Sequence, residues 1–163
     1  MIGMLLRGTD YITTQLGGMN KPVSTEMAIR RARQMLEETG ADGIFLATED
    51  KDILDEMREA FKGKVLTVSQ ERYRVSDFTE ELRTISEIDR ARHPDEEDYA
   101  AFVEDVTANY FYALYLLSRC SLFIYSCYCS GVAMVLEFGR GSVKESICLA
   151  EEVKREVKRD GSP

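Results

Sequence analysis

The sequence contains little histidine and has no surplus of basic side chains. Its single histidine, His93, stands in a charged stretch before Pro94, so we expect an exposed turn residue rather than a ligand or a general base. Lysine and arginine number 21 against 29 acidic residues, which gives a net charge of -8. Binding to a nucleic-acid backbone needs a concentrated basic face, so this balance argues against a nucleic-acid partner. A small phosphorylated ligand stays compatible, because one or two local arginines suffice for it.

The sequence also lacks a long hydrophobic run. The uncharged stretch 120–136 contains serines and a glycine and falls short of the ~20 apolar residues of a membrane span. The apolar run 1–6 is too short for a secretion signal. We therefore expect a cytoplasmic protein whose four cysteines are reduced. The spacing Cys127-x-Cys129 is not typical of a zinc site, and no metal is predicted.

The length and composition predict one domain that spans residues 1–163. With 163 residues and 44% hydrophobic residues, the chain is long enough to bury a well-packed core. Apolar runs predict buried strands at residues 2–6, 43–47, 64–68 and 122–125. Because helical segments separate the strands, the order predicts an α/β fold with a parallel sheet of about four to five strands.

Helical periodicity is clear in several segments. Helices are predicted from Ser24 or Thr25 to Gly40 and over residues 50–61, 132–138 and 143–158, the last with Ile147, Cys148 and Val153 facing inward. The strongest helical stripe consists of Tyr99, Phe102, Val103, Val106, Tyr110, Ala113, Leu114 and Leu117. On that helix we expect most of the tyrosines at positions 110, 112 and 115 to have packing roles.

Polar residues follow three of the predicted strands. They occupy residues 7–11, 48–50 and 126–131, and in a doubly wound sheet these clusters share one edge. Together they offer an arginine, hydroxyl groups and a helix N-terminus, which suit a phosphate or diphosphate. Two interpretations of Arg7 carry equal weight: it binds such a ligand, or it forms a salt bridge with Asp10 or Asp50 that ties strand ends together.

Three segments in order resemble motifs of the GDP-fucose-dependent fucosyltransferases. The group includes α-1,6-fucosyltransferases, nodulation fucosyltransferases and O-fucosyltransferase-like proteins. The segments are IGMLLRGTDY at 2–11, IFLATED at 44–50 and LLSRCSLFI at 116–124, followed by a serine-containing loop from Ser126. The resemblance implies a Rossmann-like, three-layer domain equivalent to the C-terminal, donor-binding half of a GT-B glycosyltransferase.

The resemblance also implies roles for individual residues. Arg7 would bind the donor diphosphate and act catalytically by stabilising charge on the departing nucleotide. Asp50 would contact the base or ribose. The loop after the late strand would hold phosphates through Ser126 and Ser130. Together with the other polar residues after the strands, the predicted substrate-binding set is Arg7, Thr9, Asp10, Thr48, Asp50, Ser126, Ser130 and Gly131. No cofactor or metal is implied, since the GDP-sugar is itself the donor substrate.

The first functional hypothesis is therefore fucosyl transfer from GDP-fucose, or a related nucleotide sugar, to a glycan acceptor. The alternative is a non-catalytic nucleotide or nucleotide-sugar binding module, or a truncated fragment of a glycosyltransferase. The chain departs from the family pattern at Leu5 and Ala113, and no acid lies between Asp10 and Glu26. Two further partners are open: a second copy of this chain, and an N-terminal half of a glycosyltransferase that this sequence does not contain.

Overall fold

A computed structural model describes the backbone of residues 1–9 and 23–160, and the side chains up to residue 155. Within these ranges five parallel strands form one sheet in the order β3-β2-β1-β4-β5. The strands are β1 (Ile2–Leu5), β2 (Ile44–Ala47), β3 (Val65–Leu66), β4 (Leu122–Tyr125) and β5 (Glu145–Cys148). This sheet confirms the predicted α/β fold class.

Helices connect the strands and cover both faces of the sheet. They are α1 (Thr25–Thr39), α2 (Lys51–Ala60), α3 (Ile85–Arg92), α4 (Glu96–Ser118), α5 (Ser130–Phe138) and α6 (Leu149–Asp160), with a short 3-10 turn at Val75–Asp77. Side chains that accept backbone N–H bonds cap α1 to α4, and the capping residues are Ser24, Asp50, Thr84 and Asp95.

The alternation of side chains along β1 divides the core into two layers. Ile2 and Met4 pack on one face, with buried residues of α1 and α2 and with Leu149 at the start of α6. Leu5 points to the other face, which α4 and α5 cover. Gly3 also faces α4, where an added Cβ would lie 3.0 Å from Cys120 Cβ and 3.1 Å from Leu117 Cδ2. The long helix can therefore approach β1 closely.

The prediction of a helix over residues 143–158 is wrong for the first part of that range. Glu145–Cys148 is the edge strand β5, paired with β4 so that Ile147 stands opposite Ile124, and the helix begins only at Leu149. Glu145 and Ser146 are exposed, so the strand has none of the continuous burial that marks an internal parallel strand. Pairing with β4 overrides the local helical pattern, and β3 is likewise shorter than predicted.

The helical stripe on α4 is buried only near its C-terminal end. Ala113, Leu114 and Leu117 are fully buried, whereas Val103 is 41% exposed. Tyr110 is half-buried as predicted, but Tyr112 and Tyr115 lie on the opposite side of the helix and are exposed. The sheet is too narrow to cover a helix of 23 residues along its whole length.

A buried tyrosine anchors the irregular segment between β3 and α4. Tyr73 forms an isolated parallel bridge with Asp50, and its hydroxyl donates a 2.5 Å hydrogen bond to Asp89 Oδ1 on α3. Both residues are buried. Burial raises the pKa of Asp89 above its ordinary value, although the hydrogen bond from Tyr73 and the nearby Arg92 favour the charged carboxylate.

We expect the variant Tyr73→Phe to lose about 1–3 kcal/mol of stability at pH 7, because it leaves the buried Asp89 carboxylate without its donor. Since the pKa of Asp89 is raised on folding, the folded state binds more protons, and stability falls as pH rises from the ordinary aspartate pKa through the raised one. Removing the donor raises this pKa further. The loss is therefore larger at pH 7 than at pH 4, as urea unfolding at both pH values will measure.

Tyr128→Phe is the matched control, because its ring is 65% exposed in the loop after β4 and the substitution should change stability at neither pH. An equal loss of stability for Tyr73→Phe at pH 4 and pH 7 would contradict the role assigned to Asp89.

Candidate functional site

The order of the strands reverses between β1 and β4. From β1 the chain moves outward through β2 to β3, and on the other side β4 is followed by β5. In open parallel sheets, ligands bind at such a reversal, in the crevice beyond the carboxyl ends of the strands. Arg7 follows β1 and Ser126 follows β4, and the Arg7 backbone N–H donates a 3.0 Å hydrogen bond to Ser126 Oγ across this crevice.

The Arg7 side chain is 20% exposed and pairs with Glu49, which follows the neighbouring strand β2. Its Nη1 atom lies 3.4 Å from Glu49 Oε2. The sequence-based alternatives for a salt bridge were Asp10, which lies outside the described residues, and Asp50. Glu49 belongs to the polar cluster 48–50 but received no role from the sequence, although its place two residues after β2 and next to Asp50 was a usable signal.

The consecutive acids Glu49 and Asp50 hold the loop after β1 through backbone hydrogen bonds. Glu49 Oε1 accepts the Gly8 N–H at 2.9 Å, and Asp50 Oδ2 accepts the Thr9 N–H at 3.1 Å. The other Asp50 oxygen, Oδ1, accepts the N–H groups of Asp52 and Ile53 and so caps α2. Both carboxylate oxygens of Asp50 are therefore engaged with backbone.

The structure brings most of the predicted site residues to this edge, but it buries many of them. Thr9, Thr48, Asp50, Ser126 and Gly131 are all buried. Thr48 Oγ1 accepts the Asp50 N–H, so this side chain supports the loop. Of the predicted residues that the structure describes, Arg7 and Ser130 reach the surface, and the ligand contacts assigned to the set remain predictions.

The N-terminus of α5 lies at the same edge of the sheet as Arg7, because α5 follows β4 and β4 pairs with β1. Its N-cap residue, Cys129, makes no capping hydrogen bond, in contrast to the caps of α1 to α4. The first turn packs against β1, since an added Cβ on Gly131 would lie 3.4 Å from Leu5 Cδ2 and would contact the Tyr110 hydroxyl. Gly131 therefore lets the helix end, with its partial positive charge, pack closely on β1.

Cys127 lies close enough to Arg7 for the two side chains to interact electrostatically. Burial raises the pKa of the Cys127 thiol, and the hydrogen bond from Ser126 and the positive charge of Arg7 offset part of this rise. The thiol is consequently uncharged at neutral pH and does not compete with an anionic ligand for the guanidinium.

The two arginines that follow β3, Arg72 and Arg74, form contacts within the fold. The Arg72 guanidinium donates to Thr67 Oγ1 at 2.6 Å and to two backbone carbonyls of its own loop. Arg74 forms ion pairs with Asp52 and Asp55 on α2. Next to these pairs, a cavity of about 290 Å³ is lined by Arg7 and Gly8 but also by Asp50, Asp52 and Glu56. These acids disfavour an anion in this cavity.

Two further properties concern residues 1–9 and 23–160. Over these ranges no cluster of three or more histidine, cysteine or acidic side chains has a geometry that would hold a metal ion. None of the helices in the same ranges is long and apolar enough to cross a membrane.

The fold and the site define the chain as a parallel α/β, Rossmann-like domain with a polar crevice at its strand-order reversal. Neither a protein-family model nor a curated protein matches the sequence. Solved structures do resemble it. The apo form of POFUT1 is 13% identical with a TM-score of 0.49, and the match covers 90% of this chain and 40% of POFUT1.

Two other similar structures contain ligands. POFUT1 in complex with GDP-fucose is 14% identical with a TM-score of 0.48, over 91% of this chain and 41% of that one. NodZ α-1,6-fucosyltransferase co-crystallised with GDP is 18% identical with a TM-score of 0.44, over 87% and 35%. The chain thus spans about two fifths of the length of these structures. At such identities and TM-scores the likenesses assign neither a ligand nor a reaction to this chain.

Proposed function

We propose that the crevice between β1 and β4 binds the diphosphate of a nucleotide sugar, and that the chain is the donor-binding domain of a fucosyltransferase-like glycosyltransferase that uses GDP-fucose. One observation carries this proposal: a partly exposed arginine and an uncapped helix N-terminus follow β1 and β4, the two strands that flank the strand-order reversal. An arginine supplies a fork of donors to phosphate oxygens, and a helix N-terminus supplies backbone N–H groups to the same anion.

In the proposed reaction an acceptor hydroxyl attacks the anomeric carbon of the donor sugar with inversion. The bond from this carbon to the diphosphate oxygen breaks, its electron pair stays with the leaving nucleotide, and the proton of the acceptor hydroxyl passes to solvent. Arg7 is the catalytic residue, because its guanidinium stabilises the negative charge that grows on the leaving diphosphate. Glu49 is a positioning residue, since one of its oxygens pairs with Arg7 while the other holds the Gly8 N–H.

A nucleotide-binding module without transferase activity is the second candidate. It is favoured by the contacts that Glu49 and Asp50 make. Glu49 and Asp50 both accept backbone N–H groups, so neither is placed to take the proton of an acceptor hydroxyl. The two candidates share the binding site and differ only in whether the bound nucleotide sugar is cleaved.

Calorimetric titration with GDP and with GDP-fucose tests the binding site. We expect both nucleotides to bind and Arg7→Ala to weaken them by roughly 10- to 150-fold, which corresponds to about 1.5–3 kcal/mol for hydrogen bonds to a charged group. The affinity of Arg7→Lys should lie between those of the wild type and Arg7→Ala, because an ammonium group retains the charge but not the fork of donors. Arg140→Ala, at the far end of α5 and 78% exposed, is the matched control for loss of one positive charge.

Two results would count against this proposal. The first is that neither nucleotide binds, and the second is that Arg7→Ala binds as tightly as the wild type. GDP release from GDP-fucose on addition of glycan acceptors then separates the two candidates, because binding without release supports the module.

A further inference from the structure

The solvent-facing side of α4 carries aromatic residues at one end and small or acidic residues at the other. Its central stripe has the 4-3-4-3-4 spacing of a coiled-coil seam and consists of Glu97, Ala101, Glu104, Ala108, Phe111 and Tyr115. We call this stripe the outer α4 face. At 100° per residue it lies opposite the buried residues Ala113, Leu114 and Leu117.

The aromatic end of the outer α4 face is unusually apolar for a surface exposed to water. Phe111, Tyr112 and Tyr115 are 47%, 56% and 53% exposed and lie within little more than one helical turn. Contiguous exposed aromatic side chains of this kind mark interaction surfaces on globular proteins. Residues 96–118 contain no lysine or arginine, so all the charges within the helix are negative.

The charges at the two ends of the outer α4 face complement each other. Glu97 and Glu104 are exposed near the start of α4, and Arg119 is exposed at its C-terminal cap. Within the part of the chain that the structure describes, none of these three side chains forms an ion pair. About 33 Å separate Glu97 from Arg119 along the helix, at 1.5 Å per residue, so they cannot pair within one copy.

We propose that a second copy of this chain docks on the outer α4 face, with the two α4 helices antiparallel and a two-fold axis near Ala108. In this arrangement Arg119 faces the partner's Glu97, and by symmetry Glu97 faces the partner's Arg119. Tyr115 packs on the partner's Ala101, and Tyr112 directs its hydroxyl to the partner's Glu104. The alanine at the axis permits the close approach of 8–10 Å typical of packed helices.

The antiparallel orientation follows from charge and from side-chain size. A parallel pair would place the acidic N-terminal halves side by side, where like charges repel, and would stack the aromatic side chains on each other. The antiparallel pair places each acidic half against the partner's uncharged half and its terminal arginine, and each aromatic side chain against a small one. Because one helix face is smaller than the ~800 Å² per partner of a standard interface, we expect a dimer of roughly micromolar affinity.

Sedimentation equilibrium over a range of concentrations up to about 500 μM, well above the expected micromolar Kd, tests the dimer. We expect Arg119→Glu to raise the dimer Kd at least tenfold, because it replaces two ion pairs by two pairs of like charges. The double variant Glu97→Arg/Arg119→Glu restores the opposite pairing and should return the Kd to within about threefold of the wild type. Tyr115→Ala should also weaken the dimer, since it removes an aromatic contact on each side of the axis.

Phe138→Ala is the matched control, because this side chain is 51% exposed on α5 and lies outside the proposed interface. Circular dichroism and thermal melts of each variant separate loss of the dimer from loss of the fold. A wild-type chain that stays monomeric over the whole concentration range overturns the proposal. A dimer whose Kd is unchanged in Arg119→Glu and Tyr115→Ala also overturns it, since a different surface then mediates association.

Discussion

Asp50→Ala should lower the free energy of unfolding by about 2–4 kcal/mol. Loss of a helix N-cap costs about 0.5–2 kcal/mol, and a buried backbone N–H left without its acceptor costs about 1–3 kcal/mol. Asp50 has both functions, because Oδ1 caps α2 and Oδ2 accepts the Thr9 N–H, and the side chain is only 3% exposed. Urea unfolding followed by circular dichroism measures the change.

Asp95→Ala is the matched control for the capping part of this effect. Asp95 caps α4 by accepting the N–H groups of Glu97 and Asp98, but it is exposed and has no second function across the sheet. Its removal should therefore cost only about 0.5–2 kcal/mol. If both aspartate variants lose the same stability, the bond from Thr9 to Asp50 contributes nothing and this account of the loop is wrong.

Gly8→Ala should cost about 1–3 kcal/mol of stability, the usual range for overpacking, and should also weaken nucleotide binding. A Cβ at position 8 would overlap Asp50 Oδ2 and would lie 2.7 Å from Asp50 Cβ and Cγ. Gly8 does not have a positive φ, so space rather than backbone conformation requires glycine here. Either the loop or α2 must move, and a shift of the loop displaces the neighbouring Arg7.

A double-mutant cycle with Asp50→Ser tests this explanation. Serine retains one capping oxygen but lacks the second oxygen that the new methyl group would meet. The cost of Gly8→Ala should therefore be smaller in the Asp50→Ser background than in the wild type, by more than the ~0.5 kcal/mol within which independent sites add. Strict additivity would show that the cost has a different origin. Calorimetric titration of the same variants with GDP measures whether a displaced Arg7 weakens nucleotide binding.

These contacts show how an acidic chain holds an arginine at the edge of the sheet where we propose that an anion binds. Glu49 and Asp50 bind the backbone of the loop after β1, and Glu49 also pairs with the Arg7 guanidinium. The excess of acids in the composition therefore does not argue against the proposed anion site, because these two acids hold the loop and Glu49 pairs with the arginine. Net charge describes the whole surface, whereas recognition of a diphosphate depends on a few donors at one edge.

By itself the sequence determined the strands β1, β2 and β4, most of the helix ends and the gathering of polar residues at the carboxyl edge. These features depend on local patterns: an apolar run bounded by polar residues, a capping side chain, or a glycine after a helix. The fold class and the position of Arg7 after β1 follow from such patterns alone, and the structure agrees with both.

Only the tertiary structure decided which partners these residues have. It replaced the start of a predicted helix by β5, because pairing with β4 outweighs a local helical preference. It gave Arg7 the partner Glu49, and it made Asp50 a buried cap that also holds the loop after β1. It also left Phe111, Tyr112 and Tyr115 of α4 on an exposed face. Each of these outcomes depends on contacts between residues far apart in the chain, which local periodicity does not record.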